Sequence, residues 1–184
     1  MMASFSMWLL KLFGWNISGQ LPSDRQFILI GAPHTSNWDF IIGILARSAV
    51  KRRIHFLGKH QLFIPPWGWL FRALGGSPVN RTKNNNLVQS ACEQFATRED
   101  YALALAPEGT RGKVNRWKTG FYHIAVQAKV PIVCVGFDYQ HKTLRIEPPI
   151  YPTGDMNLDM NHILAFYRTI KGRYPKEIPI YTEN

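Results

Sequence analysis

The run Phe27-Ile-Leu-Ile-Gly31 constrains this chain most, because five apolar positions in succession, bounded by polar residues before and a Gly-Ala-Pro turn after, read as a buried strand. Asp39-Phe-Ile-Ile-Gly-Ile-Leu-Ala-Arg-Ser-Ala-Val50 follows with the character of a helix, whose free N–H groups Asn37 or Asp39 can cap. A strand giving way to a helix places the intervening loop at the strand's carboxyl end, where open α/β sheets hold ligands. Further strand-like runs stand at Arg53–Gly58, Tyr101–Ala106, Val130–Phe137 and Thr143–Glu147, the last near a sheet edge. Helical patterns lie among them: Leu87, Val88, Ala91, Cys92 and Phe95 on one face, a stretch from Gly120 to about Lys129, and a final helix beginning at Asp155 or Asn157 with Ile163, Phe166, Tyr167 and Ile170 at three- and four-residue spacing. The expected fold is a single α/β domain whose mixed, mostly parallel central sheet is flanked by helices.

The loop between the first strand and helix carries His34-Thr-Ser-Asn-Trp-Asp39, an imidazole and a carboxylate five positions apart. A histidine with one ring nitrogen held by a carboxylate has its tautomer fixed, and the other nitrogen can then take a proton from a hydroxyl attacking a carbonyl. The competing assignment is a turn histidine beside a helix-capping aspartate. Two more loops are basic. Gly75-Gly-Ser-Pro-Val-Asn-Arg-Thr-Lys83 is turn-rich and precedes a helix, so Arg81 can grip a phosphate near a helix N-terminus or stand as a solvated loop cation. Pro107-Glu-Gly-Thr-Arg-Gly-Lys113 follows a strand, with glycines that allow close backbone approach and Thr110 and Arg111 suited to phosphate oxygens. Neither loop is a P-loop or a serine-hydrolase elbow, since Pro107 and Val79 stand where those motifs need glycine.

The 46% hydrophobic and 13% aromatic fractions exclude a disordered chain, and the net charge of +10 favours polyanionic partners such as an anionic bilayer, a phosphorylated substrate or an acidic carrier protein. Nucleic-acid binding is disfavoured, because the basic residues are dispersed and no recognition motif accompanies them. Cys92 and Cys134 read as small buried hydrophobes of a reducing compartment, and His55, His60, His123, His141 and His162 have no evident carboxylate or cysteine partner, so no metal site is expected. Residues 1–20 form a separate unit in this scheme, with 21–184 the main domain. Met1–Trp15 is apolar nearly all round, yet a helix of that length covers roughly 22 Å against a hydrocarbon core of about 30 Å. It lacks the basic start and cleavage site of a signal peptide. It either lies in the headgroup region with Trp8 and Trp15 at the boundary or packs on the core.

The order of four stretches resembles the glycerolipid and lysophospholipid acyltransferases, the family of 1-acylglycerol-3-phosphate acyltransferase-like proteins. They are the H-x4-D of His34 and Asp39, the glycine-rich turn ending in V-x-R at Arg81, the P-E-G-T-R of Pro107–Arg111 and the V-P-I of Val130–Ile132. The resemblance implies that His34 and Asp39 are the catalytic pair, and that Arg81, Glu108, Gly109, Thr110 and Arg111 bind the acceptor's phosphate and glycerol. It also implies that Lys59, in a Lys-x-x-Leu-Phe stretch, adds a further active-site cation. It implies an O-acyltransferase at the cytoplasmic face of the membrane, moving a fatty acyl chain from acyl carrier protein or coenzyme A to a lysophospholipid by direct attack, with no cofactor beyond the thioester. Pro33, Ala106, Gly112 and Cys134 depart from the usual residues, which leaves open an acceptor such as an amino-acid lyso-lipid, or a basic membrane-peripheral protein without turnover.

Overall fold

Strand β2 (Gln26–Ala32) lies in the middle of a seven-stranded sheet of order β1-β7-β6-β2-β5-β3-β4. The structure is a computed structural model that describes residues 2–79 and 84–181. The other strands are β1 (Asn16–Ser18), β3 (Ile54–Lys59), β4 (Gly76–Val79), β5 (Tyr101–Leu105), β6 (Ile132–Asp138) and β7 (Thr143–Ile146). All neighbours run parallel except β6 and β7. β2 pairs with β5 on one side, Ile28 opposite Leu103, and with β6 on the other, Ile28 opposite Ile132. Every residue of β6 is buried, which is why its sequence shows no polar alternation. β7 alternates between half-buried and buried positions, as an antiparallel strand with one wet face does.

Helices cover both faces. Ile28, Ile30 and Ala32 of β2 join Leu103, Ile132 and Cys134 beneath α4 (Asn84–Thr97), α5 (Gly120–Ala128) and α6 (Met156–Arg168). Phe27 with Ala102, Val133 and Val135 packs instead against α1 (Met2–Leu12) and α2 (Trp38–Ala49). The fully buried Tyr167 of α6 links β2 and β6: its hydroxyl donates to Ile30 O at 2.5 Å and accepts from Val135 N at 3.1 Å.

The segment before residue 20 is built into this architecture. Leu10 and Trp15 are buried in the α2 face, and β1 pairs with β7 at Ile17 opposite Leu144. The outer side of α1 presents Phe5, Trp8 and Leu12 to solvent, with Phe13 just beyond its end. Two elements differ from the sequence expectation. Residues 75–83 contain an edge strand, β4, and the aromatic stretch after Pro66 closes into a short helix, α3 (Gly68–Ala73). β4 forms despite Pro78 because it sits at the margin of the sheet, where a missing N–H leaves no ladder unfilled. Among the described residues no helix is long and apolar enough to cross a membrane.

Candidate active site

The chain leaves β2 through Pro33 and enters α2 four residues after His34, so the loop is short and must satisfy its own backbone. Asp39, in the first turn of α2, does this from within: its Oδ2 accepts from Thr35 N and Ser36 N, both at 2.8 Å. The helix-capping role expected of Asn37 or Asp39 falls elsewhere. Asn37 makes no side-chain cap bond, and Ser36 Oγ accepts from Trp38 N at 3.2 Å.

The same Oδ2 lies 3.1 Å from His34 Nδ1, and Oδ1 accepts from Tyr139 OH at 2.5 Å. The Asp39 side chain is fully buried and all four of its contacts are donors. Burial pushes its carboxyl up, but the hydrogen bonds from His34, Tyr139 and the Ser36 N–H outweigh that and hold it below the ordinary carboxylate value. An ionised carboxylate only accepts, so the His34 Nδ1 facing it is a donor, and in the neutral imidazole the lone pair is on Nε2. The Tyr139 phenol is pushed well up by its burial and by Asp39, so it stays a donor. Its ring meets Trp15 edge-on at 4.9 Å, joining the segment after α1 to the site.

The ring of His34, 24% exposed, opens on a cavity of about 210 Å³ between α2 and the sheet. Phe40, Gly43, Ala104 and Phe137 line it with His34 and Asp39, and its walls are largely apolar. A larger cleft of about 700 Å³ lies beneath α4 beside His55, Arg98 and Tyr101, and none of its lining residues belongs to the His34 loop or to the 106–113 loop.

The second loop begins where β5 ends, beside β2. Glu108, which the resemblance assigns to the acceptor site, has a side chain only 1% exposed. Its Oε2 accepts from His34 N at 2.9 Å and from Lys176 Nζ at 2.9 Å, so it braces the loop that carries His34. Burial pushes the Glu108 carboxyl up, and the bonds from Lys176 and the His34 N–H pull it back without cancelling that. Gly109 turns with φ of +67°, in the region favouring glycine, and Thr110 and Arg111 are exposed. Lys176 Nζ also donates to His34 O, Thr110 O and Arg111 O, so Arg111 and His34 share one end of the sheet. Lys59 ends β3 on that side, its side chain lying outside what is described, and Arg81 lies outside the described residues.

Tyr139 and Lys176 had no sequence signal, being 100 and 142 positions from the residues they hold. His141, read as lacking a partner, meets Asp138 Oδ2 at 2.7 Å through Nδ1, closing the turn after β6.

A doubly covered α/β sheet with an imidazole–carboxylate pair at the carboxyl end of its central strand defines a protein that works on ligands in that crevice. The sequence model of the acyltransferase family matches residues 15–138, and the chain belongs to that family. It is 27% identical to the 1-acyl-sn-glycerol-3-phosphate acyltransferase of Haemophilus influenzae over 75% of this chain and 60% of that one. It is 30% identical to the Escherichia coli enzyme of the same name over 69% of this chain and 54% of that one. The chain thus spans little more than half the length of these curated relatives. The crystal structure of the 1-acyl-sn-glycerophosphate acyltransferase of Thermotoga maritima shares the fold, with a TM-score of 0.62 at 18% identity over 94% of this chain and 79% of that one.

Proposed function

We propose that this protein is an O-acyltransferase that moves a fatty acyl chain from an acyl carrier protein or coenzyme A thioester to the hydroxyl of a lysophospholipid, with His34 as general base. The hydroxyl oxygen bonds to the thioester carbonyl carbon as its proton passes to His34 Nε2. The carbon–sulfur bond then breaks, and the leaving thiolate takes the proton from the imidazolium, which Asp39 stabilises meanwhile. No covalent acyl-enzyme intervenes. Such a base supplies roughly 10² to 10⁴ in rate. The observation that carries this reading is the 3.1 Å pairing of His34 with a fully buried, fully hydrogen-bonded Asp39 at the mouth of an apolar cavity. The cavity suits an acyl chain, and Arg111, with Arg81 and Lys59, suits the acceptor's phosphate. The relatives' shared name favours a 1-acylglycerol 3-phosphate as that acceptor.

The working position is a membrane surface. Phe5, Trp8 and Leu12 on α1 with Phe13 after it, and Leu62, Ile64, Trp67 and Trp69 around the start of α3, are all exposed. α1 packs with α2 in one core cluster, and Phe40 of α2 meets Phe71 of α3 at 5.7 Å, so both patches border the helix that roofs the cavity. Tryptophans at such a boundary and a charge of +10 suit an anionic cytoplasmic leaflet. The test is mass spectrometry of products from purified protein given mixed thioesters and lyso-lipids. His34→Ala should remain folded and lose at least 10²-fold in kcat; near wild-type turnover in that variant would end the proposal.

A further inference from the structure

Lys176 stands far outside the family-matched region 15–138, in the segment after α6, yet its side chain is only 4% exposed. An ammonium is costly to bury unless its donors are met. Here three donors face four oxygens: Glu108 Oε2 at 2.9 Å, Thr110 O at 3.1 Å, His34 O at 3.3 Å and Arg111 O at 3.4 Å. The peptide groups of His34 are therefore gripped from both sides, the N–H by Glu108 and the carbonyl by Lys176, and Glu108 and Lys176 grip each other. With its donors so committed, Lys176 has no part to play on the substrate directly.

The residues leading to Lys176 lie along the same loop. Lys171 O accepts from Tyr139 N at 2.8 Å, and Arg173 N donates to Thr35 Oγ1 at 3.0 Å. At Gly172 a Cβ would stand 2.8 Å from Thr35 Cγ2 and 3.1 Å from Pro33 Cγ, so a side chain there would require Thr35 to shift. The Arg173 guanidinium lies over Trp38 at 5.8 Å. Every one of these contacts falls on the loop that carries His34, on the first turn of α2, or on the tyrosine that holds Asp39.

We propose that Lys176 is a positioning residue for acyl transfer: the strap 171–176 completes the active site by fixing the His34 peptide against the Thr110–Arg111 backbone. The inference rests on the reading of His34 as general base. Without Lys176 the carbonyls of two loops from neighbouring strands lose their common donor, and a displacement of about 1 Å at a reacting group can cost about 10²-fold in rate.

The test uses the full chain and two variants beside His34→Ala. Lys176→Met keeps the stem and removes the charge, but leaves Glu108 uncompensated. The double variant Glu108→Gln with Lys176→Met leaves no bare charge, and its glutamine oxygen can still accept from His34 N. The expected result is a double variant that melts cooperatively, with kcat down about 10²-fold and the thioester KM within about threefold of wild type, because alignment rather than uniform binding is lost. The ring N–H signal of His34 in ¹⁵N spectra, sharp while Asp39 holds it, should broaden in the same variant. Wild-type kcat with an unchanged ring signal would overturn the proposal. So would failure of the double variant to fold, since Lys176 would then be holding the fold rather than the site. Turnover surviving in His34→Ala would sink the reading of His34 as general base instead, whereas an inactive His34→Ala beside a fully active double variant would sink only the role of Lys176.

Discussion

Replacing Asp39 by asparagine separates charge from shape at the centre of the site. An amide oxygen in the place of Oδ2 can keep its bonds from Thr35 N, Ser36 N and the His34 Nδ1–H, while the amide nitrogen takes the place of Oδ1 and donates to Tyr139 OH. The loop therefore survives and only the negative charge is lost. Two unit charges at about 4 Å interact by about 4 kcal/mol at an effective dielectric of about 20. The imidazole is a quarter exposed and solvent screens it, so about 2 to 3 kcal/mol of the stabilisation given to the imidazolium should vanish. At 1.36 kcal/mol per tenfold, that is a fall in kcat of about 30- to 150-fold. The assay is steady-state release of thiol from the donor, with thermal melting as a check on folding. Asp39→Ala should differ in kind: two buried N–H groups lose their acceptor at about 1 to 3 kcal/mol each, so stability falls with activity. If folded Asp39→Asn turns over within about threefold of wild type, the carboxylate is a loop brace and its charge has no part in catalysis.

Tyr139→Phe removes one donor to a charged carboxylate, a bond worth about 1.5 to 3 kcal/mol, and should lower kcat about tenfold while the loop stays folded. It should also move acid sensitivity. The Asp39 carboxyl sits below its ordinary 3.8 in the folded protein, so its stabilising contribution is whole above about pH 4 and is lost as pH falls through the folded value. Losing the Tyr139 bond raises that value, so near-ultraviolet circular dichroism should show acid unfolding at higher pH in the variant; an unchanged acid transition would refute the coupling. Trp67→Ser with Trp69→Ser, both at exposed positions, should weaken sedimentation with anionic vesicles at least tenfold and leave turnover on detergent-solubilised substrate within about twofold.

The interior strands were legible because they are covered on both sides: Phe27–Ala32 of β2 and Ile132–Phe137 of β6 are unbroken apolar runs, so they could be read directly. β1 and β4 were not, since three residues carry no period and Gly76-Ser-Pro-Val79 has the composition of a turn. Pairing with β3, a tertiary event, makes β4 a strand. In the site, His34 and Asp39 were readable because they share one loop and their spacing is local. The motif singles out Glu108, but its contacts with Lys176 and the His34 N–H are not legible there, because Lys176 lies 68 positions further along the chain and meets it only in the fold. Tyr139 and Lys176 reach the loop only through the folded chain, and a tyrosine after a strand or a lysine after proline is unremarkable in a sequence.

The two margins of the sheet bear on how such a protein behaves at high local concentration. β1 offers a neighbouring molecule only three residues to pair with, and β4 is interrupted by a proline that has no hydrogen to give. Among the described residues neither border offers a long unbroken run to an added strand from a second molecule, which disfavours edge-to-edge polymerisation at high local concentration.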